Sequence, residues 1–435
     1  PCSFCHARST RSQPATRMYA NKSRRSVSLY ARSVNCKAVF MQDSARGRLS
    51  HVIFVLNLPV PDDRRVWHEA MAVRDAGRPV RVYCPAMKGH RAGRRVVDGI
   101  EVVYLRSFEG RGSIGVVLEG VWNTLLCLFH AFGFRASAVG SVQACNPPDS
   151  LFPVLALCRA RGIRTIYDQH DVAPAMASMR PGLRRLRWLF DWCERLTVRA
   201  SDVVVTSSQS QQTRLRERYD VEALLIRSAT APPQSLPRSG TDTCRLAYLG
   251  VIGAQEGLDD LLDAVDEIGG SVDGVAFELV VAGDGPYLAP LRERASAMGL
   301  DEIVRFPGWL SGDALAEFFP SVDAMVVADP PSEYNHHCAM NKVLDGMAHG
   351  IPVVMRPLRE NLALTGDHRW VAAGWTVDDL ASTIADFVRS TPAERDEEGA
   401  RLSARYEANL QWTRQADAYV AAVDAAAATA GGDRT

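Results

Sequence analysis

The 435-residue chain has no charge imbalance: 50 Lys and Arg face 50 Asp and Glu. Without a basic excess there is no electrostatic footprint for a nucleic-acid partner. Paired cysteine spacings are missing too. The 10 cysteines scatter from Cys2 to Cys338, which reads as reduced core thiols of a cytoplasmic protein rather than a disulfide scaffold. Cys2-Ser3-Phe4-Cys5-His6 is half of a metal site that no second pair answers. No Asp-x-Asp accompanies the ligand-binding loops described below, and His336-His337 alone is too little, so no metal is expected. Long apolar runs are lacking. The nearest, Gly115 to Phe134, is broken by Glu119, Asn123 and His130. It reads as an amphipathic helix packed on its own domain, with a membrane surface as the functional alternative.

What is present is ordinary globular material, 47% apolar and 23% charged, enough for two cores. The first 48 residues stand apart, rich in Lys, Arg and Ser with Asp43 as their only acid. They cannot bury enough apolar surface to offset ordering and are expected to be disordered, a targeting peptide or sequence upstream of a start at Met18 or Met41.

From Leu49 onward, short β-branched runs alternate with amphipathic stretches. Strands are expected at His51–Leu56, Val80–Cys84, Glu101–Leu105, Val139–Cys145, Arg164–Tyr167 and Asp202–Thr206. Helices are expected at Arg64–Ala76, Ser150–Arg161 and Leu183–Ala200. After a proline-rich linker the alternation resumes at Arg245–Leu249, Phe277–Ala282, Ile303–Phe306, Ala324–Ala328 and Pro352–Met355. Such alternation implies βαβ units and parallel sheets. The expected division is a basic segment 1–48, an α/β domain 49–230, a linker 231–243, a second α/β domain 244–410, and a terminal helix and tail 411–435.

Three strand ends in the second half carry ligand signals. Arg245–Leu249 runs into Gly250-Val251-Ile252-Gly253-Ala254-Gln255-Glu256-Gly257 before a helix at about Leu258. Glycines there let the backbone approach a phosphate, and a helix N-terminus offers free N–H groups; a plain turn would explain them equally well. Gly283-Asp284-Gly285-Pro286 and Phe306-Pro307-Gly308-Trp309 end the next two strands. Loops at the carboxyl ends of neighbouring parallel strands converge on one crevice. The densest segment, Asp329 to Val354, places Lys342 and Asp345 three apart on one helix face. Lys342 on phosphate and Asp345 on ribose would suit a sugar nucleotide; the bland alternative is a surface ion pair.

Ser332 to Val354, with Asn341-Lys342-Val343 at its centre, resembles the donor-site signature of glycosyltransferase family 4. In the first half, Asp63-Arg64-Arg65-Val66-Trp67-His68-Glu69-Ala70, Asn146-Pro147-Pro148-Asp149 and Asp168-Gln169-His170-Asp171 resemble motifs of one branch of that family. The resemblance implies a GT-B fold of two Rossmann-like domains facing across a cleft, and retaining transfer of a hexose from a nucleotide sugar, UDP favoured. It needs no cofactor beyond that co-substrate.

The resemblance implies donor contacts at Gly250, Gly253, Gln255, Gly257, Gly283, Gly285, Trp309, Asn341, Lys342 and Asp345. It puts Arg64, Arg65, Glu69, Asn146, Asp149, Asp168 and Asp171 on the acceptor side, with His170 and Lys342 catalytic. The acceptor would be a glycan, glycolipid or small molecule, at the inner face of a membrane that the basic, Trp-containing stretch Arg180–Arg199 could touch. Three departures stand out: Gln143-Ala144-Cys145 replaces the branch's His-x-His, Ala175 replaces an acid, and no Arg/Lys pair flanks Gly253. They motivate an alternative, a catalytically degenerate homologue serving as a binding or partner subunit. A sugar-nucleotide epimerase on a similar fold is the third.

Overall fold

The computed structural model describes residues 49–87, 89–108, 110, 112–179, 182–228, 243–310 and 312–428. The basic segment 1–48 and nearly all of the linker lie outside the described residues.

The first lobe is built on eight strands: β1 (Ser50–Phe54), β2 (Val80–Pro85), β3 (Gly93–Val97), β4 (Ile100–Leu105), β5 (Val139–Cys145), β6 (Arg164–Gln169), β7 (Val203–Thr206) and β8 (Leu224–Leu225). Their order is β3-β4-β2-β1-β5-β6-β7-β8, parallel except for β3, which runs antiparallel to β4 at the edge. A parallel sheet covered on both faces demands strands apolar on both sides. β1 obeys: Val52 and Phe54 enter one core, Ile53 the other. Helices α1 (Arg64–Asp75), α2 (Gly112–Ala131), α3 (Phe152–Ala160), α4 (Ala173–Met179), α5 (Arg187–Arg199) and α6 (Gln209–Tyr219) connect the strands. The Asp63 side chain caps α1 through Val66 N–H, and Val66, Ala70 and Val73 form its buried stripe.

The second lobe has β9 (Cys244–Val251), β10 (Ser271–Val272), β11 (Val275–Asp284), β12 (Val304–Gly308), β13 (Ala324–Val327) and β14 (Val353–Met355). β11 pairs β12 and β9, β9 pairs β13, and β13 pairs β14, all parallel; β10 is a short antiparallel hairpin on β11. Its helices are α7 (Leu258–Ile268), α8 (Leu288–Ala297), α9 (Asp313–Phe318), α10 (Glu333–His337), α11 (Asn341–Ala348), α12 (Arg359–Thr365), α13 (Val377–Arg389) and α14 (Pro392–Asn409). The last helix, α15 (Trp412–Ala428), returns to the first lobe, where Tyr419 and Val423 join the core beneath β1.

The helix read as packed on its own domain is only partly so. Cys127 and Ala131 of α2 enter the core, but Ile114, Leu118, Leu125 and Phe129 are exposed. Residues 114–131 are also long and apolar enough, by length and composition, to cross a membrane, which corrects the sequence reading. The interruptions at Asn123 and His130 do not break the outer stripe, because Asn123 turns inward and is buried.

Candidate active site

In the second lobe the glycines knit the strand ends to one another. Gly283 pairs with Gly250 across β11 and β9. A Cβ on Gly283 would lie 1.8 Å from the Gly250 carbonyl oxygen, and one on Gly285 2.3 Å from that of Ile252. A Cβ on Gly257 would lie 2.2 Å from the Ala328 carbonyl oxygen at the end of β13. Such distances exclude any side chain, so these glycines are required by packing of backbone on backbone. Gly253 is buried beneath the Gln255 amide, while Gln255 itself is exposed. Trp309, at the end of β12, is exposed.

Asn341 opens α11 and is exposed, whereas Lys342 and Asp345 are buried. Lys342 Nζ lies 2.8 Å from Asp329 Oδ2, 3.3 Å from Glu256 Oε2 and 4.3 Å from the Tyr248 ring centre. Lys342 is thus no surface pair with Asp345: it is buried, and two other carboxylates hold it. Burial works against its charge, but Asp329 outweighs that and holds its pKa above the usual lysine range. Burial pushes Asp329 up to about 6 despite the ammonium beside it.

The first lobe buries a second charged cluster. Arg65 Nη2 donates to Asp168 Oδ1 at 2.6 Å, its Nη1 donates to the Ile226 carbonyl, and its Nε lies 3.4 Å from Glu69. Asp168 Oδ2 also takes His170 Nε2 at 2.7 Å and the Gln143 amide at 3.2 Å. Gln143 bridges onward to Glu69 at 2.8 Å. Burial pushes Glu69 up to about 8, whereas Arg65 and His170 overcome burial at Asp168 and hold it below the usual range. Burial works against the charged form of His170, but Asp168 more than offsets it and raises the imidazole.

Arg65, Glu69 and Asp168 are therefore buried in the interior of the lobe, where the sequence reading put them on the acceptor side. Asp149 is likewise buried, accepting from Tyr167 Oη at 2.5 Å, and burial pushes it up to about 7. Asn146 holds the 170–171 loop: its Oδ1 accepts from His170 and Asp171 N–H at 2.6 and 3.1 Å, and its amide donates to the Asp171 carbonyl. Of the seven acceptor-side expectations, Arg64 is exposed and Asp171 half-buried; the other five are buried. Ala175 is buried in α4.

Sequence reasoning missed two partners of this cluster. Tyr419 of α15 donates to Gln143 Oε1 at 2.6 Å and lies 3.4 Å from His51 Nε2. His51 Nδ1 is 2.8 Å from Ser141 Oγ, and burial lowers its pKa to about 3. Cys145, Asp168 and His170 offer ligand atoms within 4.8 Å of one another. They fit a metal poorly: Arg65 already occupies the carboxylate, and burial followed by Asp168 keeps the Cys145 thiol protonated.

The lobes meet where the two motif sets meet. Tyr334 Oη donates to Asp171 Oδ1 at 2.9 Å, and Arg187 pairs with Glu333 at 2.8 Å. Ser208 Oγ donates to the His337 carbonyl at 2.7 Å. Glu360 accepts from the Gln209 and Ser210 N–H groups at the start of α6 and from Arg227. The 170–171 loop and the α10–α11 segment are thus in direct contact.

Two parallel-dominated Rossmann-like sheets, bridged along the carboxyl ends of their strands and tied by a returning C-terminal helix, make this a GT-B protein. Residues 63–228 match the family model "Glycosyl transferase 4-like domain" and residues 243–390 the model "Glycosyl transferases group 1". Sucrose-phosphate synthase from Thermosynechococcus elongatus has a similar structure: TM-score 0.69 at 14% identity, covering 87% of this chain and 99% of that one. HepE from Anabaena, solved with UDP and glucose, gives 0.64 at 14% identity, covering 87% and 100%. Among curated proteins, "Alpha-monoglucosyldiacylglycerol synthase" from Streptococcus pneumoniae is 30% identical over 117 residues, 26% of this chain and 25% of that protein. "GDP-mannose-dependent alpha-(1-6)-phosphatidylinositol monomannoside mannosyltransferase" from Mycobacterium tuberculosis is 28% identical over 179 residues, 32% and 46%. The chain spans less than half the length of these curated relatives.

Proposed function

We propose that the chain transfers a hexose from a nucleotide sugar, with retention of configuration, to a glycan, glycolipid or small-molecule acceptor on the cytoplasmic side of a membrane, in the synthesis of cell-surface glycans. The observation that carries this reading is the juxtaposition of the two motif sets. Glycine-knit strand ends and α11, with the buried Lys342, lie in one lobe. The His170 loop of the other is tied to the segment before α11 by Asp171–Tyr334, and in this reading the cleft between them takes the donor.

In this reading the protein supplies charge and position rather than a covalent step. The N-terminal turn of α11 and Lys342 neutralise the leaving diphosphate, which itself assists the incoming hydroxyl. A diphosphate competes with Asp329 and Glu256 for Lys342, and protonation of Asp329, already pushed up to about 6, relieves that competition. Asp168 orients the His170 ring from Nε2, so the imidazole is presented to sugar or acceptor in a fixed pose. Gln255, Trp309 and Asn341 are the exposed donor-side groups. UDP is the expected carrier, and the GDP-mannose-dependent relatives make GDP its direct competitor.

A second reading, a binding or partner subunit without activity, has its own support. One ammonium facing two carboxylates leaves the expected phosphate site with an excess of negative charge. Thermal unfolding with a panel of UDP-, GDP- and ADP-sugars separates the two. A ligand at a hundredfold excess over its Kd stabilises by about 2.7 kcal/mol. A shift with one base, abolished by Lys342→Ala and Asp345→Ala, supports transfer and names the carrier. No shift with any of them leaves the partner subunit standing.

A further inference from the structure

We infer that the outer face of the helix layer α2–α3–α5 lies flat on an anionic lipid bilayer. Ile114, Leu118, Val121, Trp122, Leu125 and Phe129 recur at helical spacing along one side of α2, and all are exposed; Ile114 is 78% and Phe129 74% accessible. A soluble helix normally turns such a stripe to the core. Here the opposite side does that work: Cys127 and Ala131 are fully buried, and Thr124 Oγ1 bonds Ser150 Oγ at 2.8 Å. That attachment holds α2 against its lobe, so it rests in the membrane plane and does not cross.

The apolar surface continues over the neighbouring helices. Trp192 of α5 packs edge-on against Phe152 of α3, and both Trp188 and Trp192 are exposed. Arg161 stacks over the exposed Phe132 ring just beyond α2.

Charge selects the occupant. Arg184, Arg185, Arg195 and Arg199 are all exposed on α5 and in the turn before it, while Arg159 of α3 is exposed but pairs with Asp202. The carboxylates of these helices are withdrawn: Glu119 accepts from Gly110 N–H, Asp191 pairs with Arg218, and Glu194 is buried against Arg214. Exposed tryptophan, phenylalanine and aliphatic side chains, fringed by unopposed arginines, match the boundary between anionic headgroups and acyl chains. A second copy of the chain would bring a like-charged rim against this one. The surface is separate from the Lys342 cluster, so this inference and the donor reading fail independently.

The test is co-sedimentation of the full chain with phosphatidylglycerol–phosphatidylcholine vesicles at low salt, with tryptophan emission recorded in parallel. Wild type is expected to sediment and its emission to shift blue, while phosphatidylcholine alone binds much less. Leu118→Ser/Leu125→Ser/Phe129→Ser should abolish sedimentation with thermal unfolding unchanged. Arg184→Gln/Arg185→Gln/Arg195→Gln should weaken it on the order of a hundredfold, about fivefold per arginine. Absence of wild-type binding at low salt, equal binding to neutral vesicles, or undiminished binding of the α2 variant would each overturn the inference. So would a wild-type dimer that the α2 variant converts to monomer without any vesicle binding. Nucleotide stabilisation measured on the same samples reports the donor reading separately.

Discussion

The two lobes each bury a cationic side chain between two carboxyl groups, and they do so with opposite charge outcomes. Around Arg65, one carboxyl (Asp168) is held low and the other (Glu69) is pushed to about 8, so at neutral pH the cluster carries one carboxylate for its guanidinium, with His170 as further donor. Around Lys342, Asp329 titrates near 6 and Glu256 keeps a fifth of its side chain in solvent, so two negative charges meet one positive. The first cluster is sealed from solvent around the Arg65–Asp168 pair, with Arg65 Nε and one Glu69 oxygen left without hydrogen-bond partners, and reads as scaffold. The second keeps an excess of negative charge that a proton on Asp329 removes and an anionic ligand must overcome, so its charge state is the one open to change.

The largest expected effect breaks the first cluster. Arg65→Ala leaves Asp168 without its guanidinium in an interior sealed from water, a loss of about 3–5 kcal/mol. Lys342→Ala should cost less, about 1–3 kcal/mol, because Asp329 can take a proton and Glu256 reaches solvent. Urea unfolding of both variants checks the ranking; equal losses would erase the distinction between scaffold and site.

Next comes acid. His51 borders the first cluster through Tyr419 and Gln143, and its folded pKa of about 3 lies below the unfolded value of 6.5. Below 6.5 the unfolded chain binds a proton that the folded chain refuses, so stability falls as pH falls from 6.5 towards 3. At pH 5 the term is worth about 2 kcal/mol. Thermal midpoints between pH 7.5 and 5 should drop more steeply in wild type than in His51→Gln. Parallel curves would show that His51 is not held neutral.

The architecture was legible in the sequence because β-branched runs covered on both faces, such as Val52 to Val55, admit few other readings. Eleven expected strands appear within a few residues of their expected bounds. The edge elements were not legible: β8 and β10 have two residues each, and β3 is Gly-Arg-Arg-Val-Val with no apolar period. Site chemistry was half legible. Motif letters marked candidate residues, but burial decides which of them reach a surface, and burial depends on long-range partners. Arg65 meets Asp168 across 103 residues, Lys342 meets Glu256 across 86, and Tyr419 meets Gln143 across 276. No local pattern encodes such separations. Gly257 and Gly283 show the same limit, since a glycine needed for backbone contact spells the same as one needed for phosphate.

A smaller effect sharpens the second cluster. If its mismatch opposes a diphosphate, nucleotide-sugar affinity should rise in wild type as pH falls through about 6, where Asp329 takes a proton. The sugar-linked diphosphate has no proton of its own to lose there. Asp329→Asn should bind about tenfold tighter than wild type at pH 7.5, a gain of about 1.4 kcal/mol, and lose the pH dependence. Calorimetric titration reads both. Weaker binding by the variant would mean that Asp329 positions Lys342 for the ligand instead of competing with it.

The smallest effect tests how far the closed cluster extends. Tyr419 comes from α15, a helix that has crossed from the second lobe to the first, and its hydroxyl supplies Gln143 with a donor at 2.6 Å. Gln143 in turn holds Glu69 and Asp168, so one hydroxyl couples the chain's last helix to the carboxylate that orients His170. Tyr419→Phe keeps the buried ring and removes only that bond, for about 1 kcal/mol of stability. A merely structural role ends there. If the coupling is real, the variant should also shift the imidazole titration of His170, followed by NMR, because Gln143 would then be free to turn its amide away from Asp168. An unchanged His170 titration would confine Tyr419 to packing and end the scaffold at Gln143.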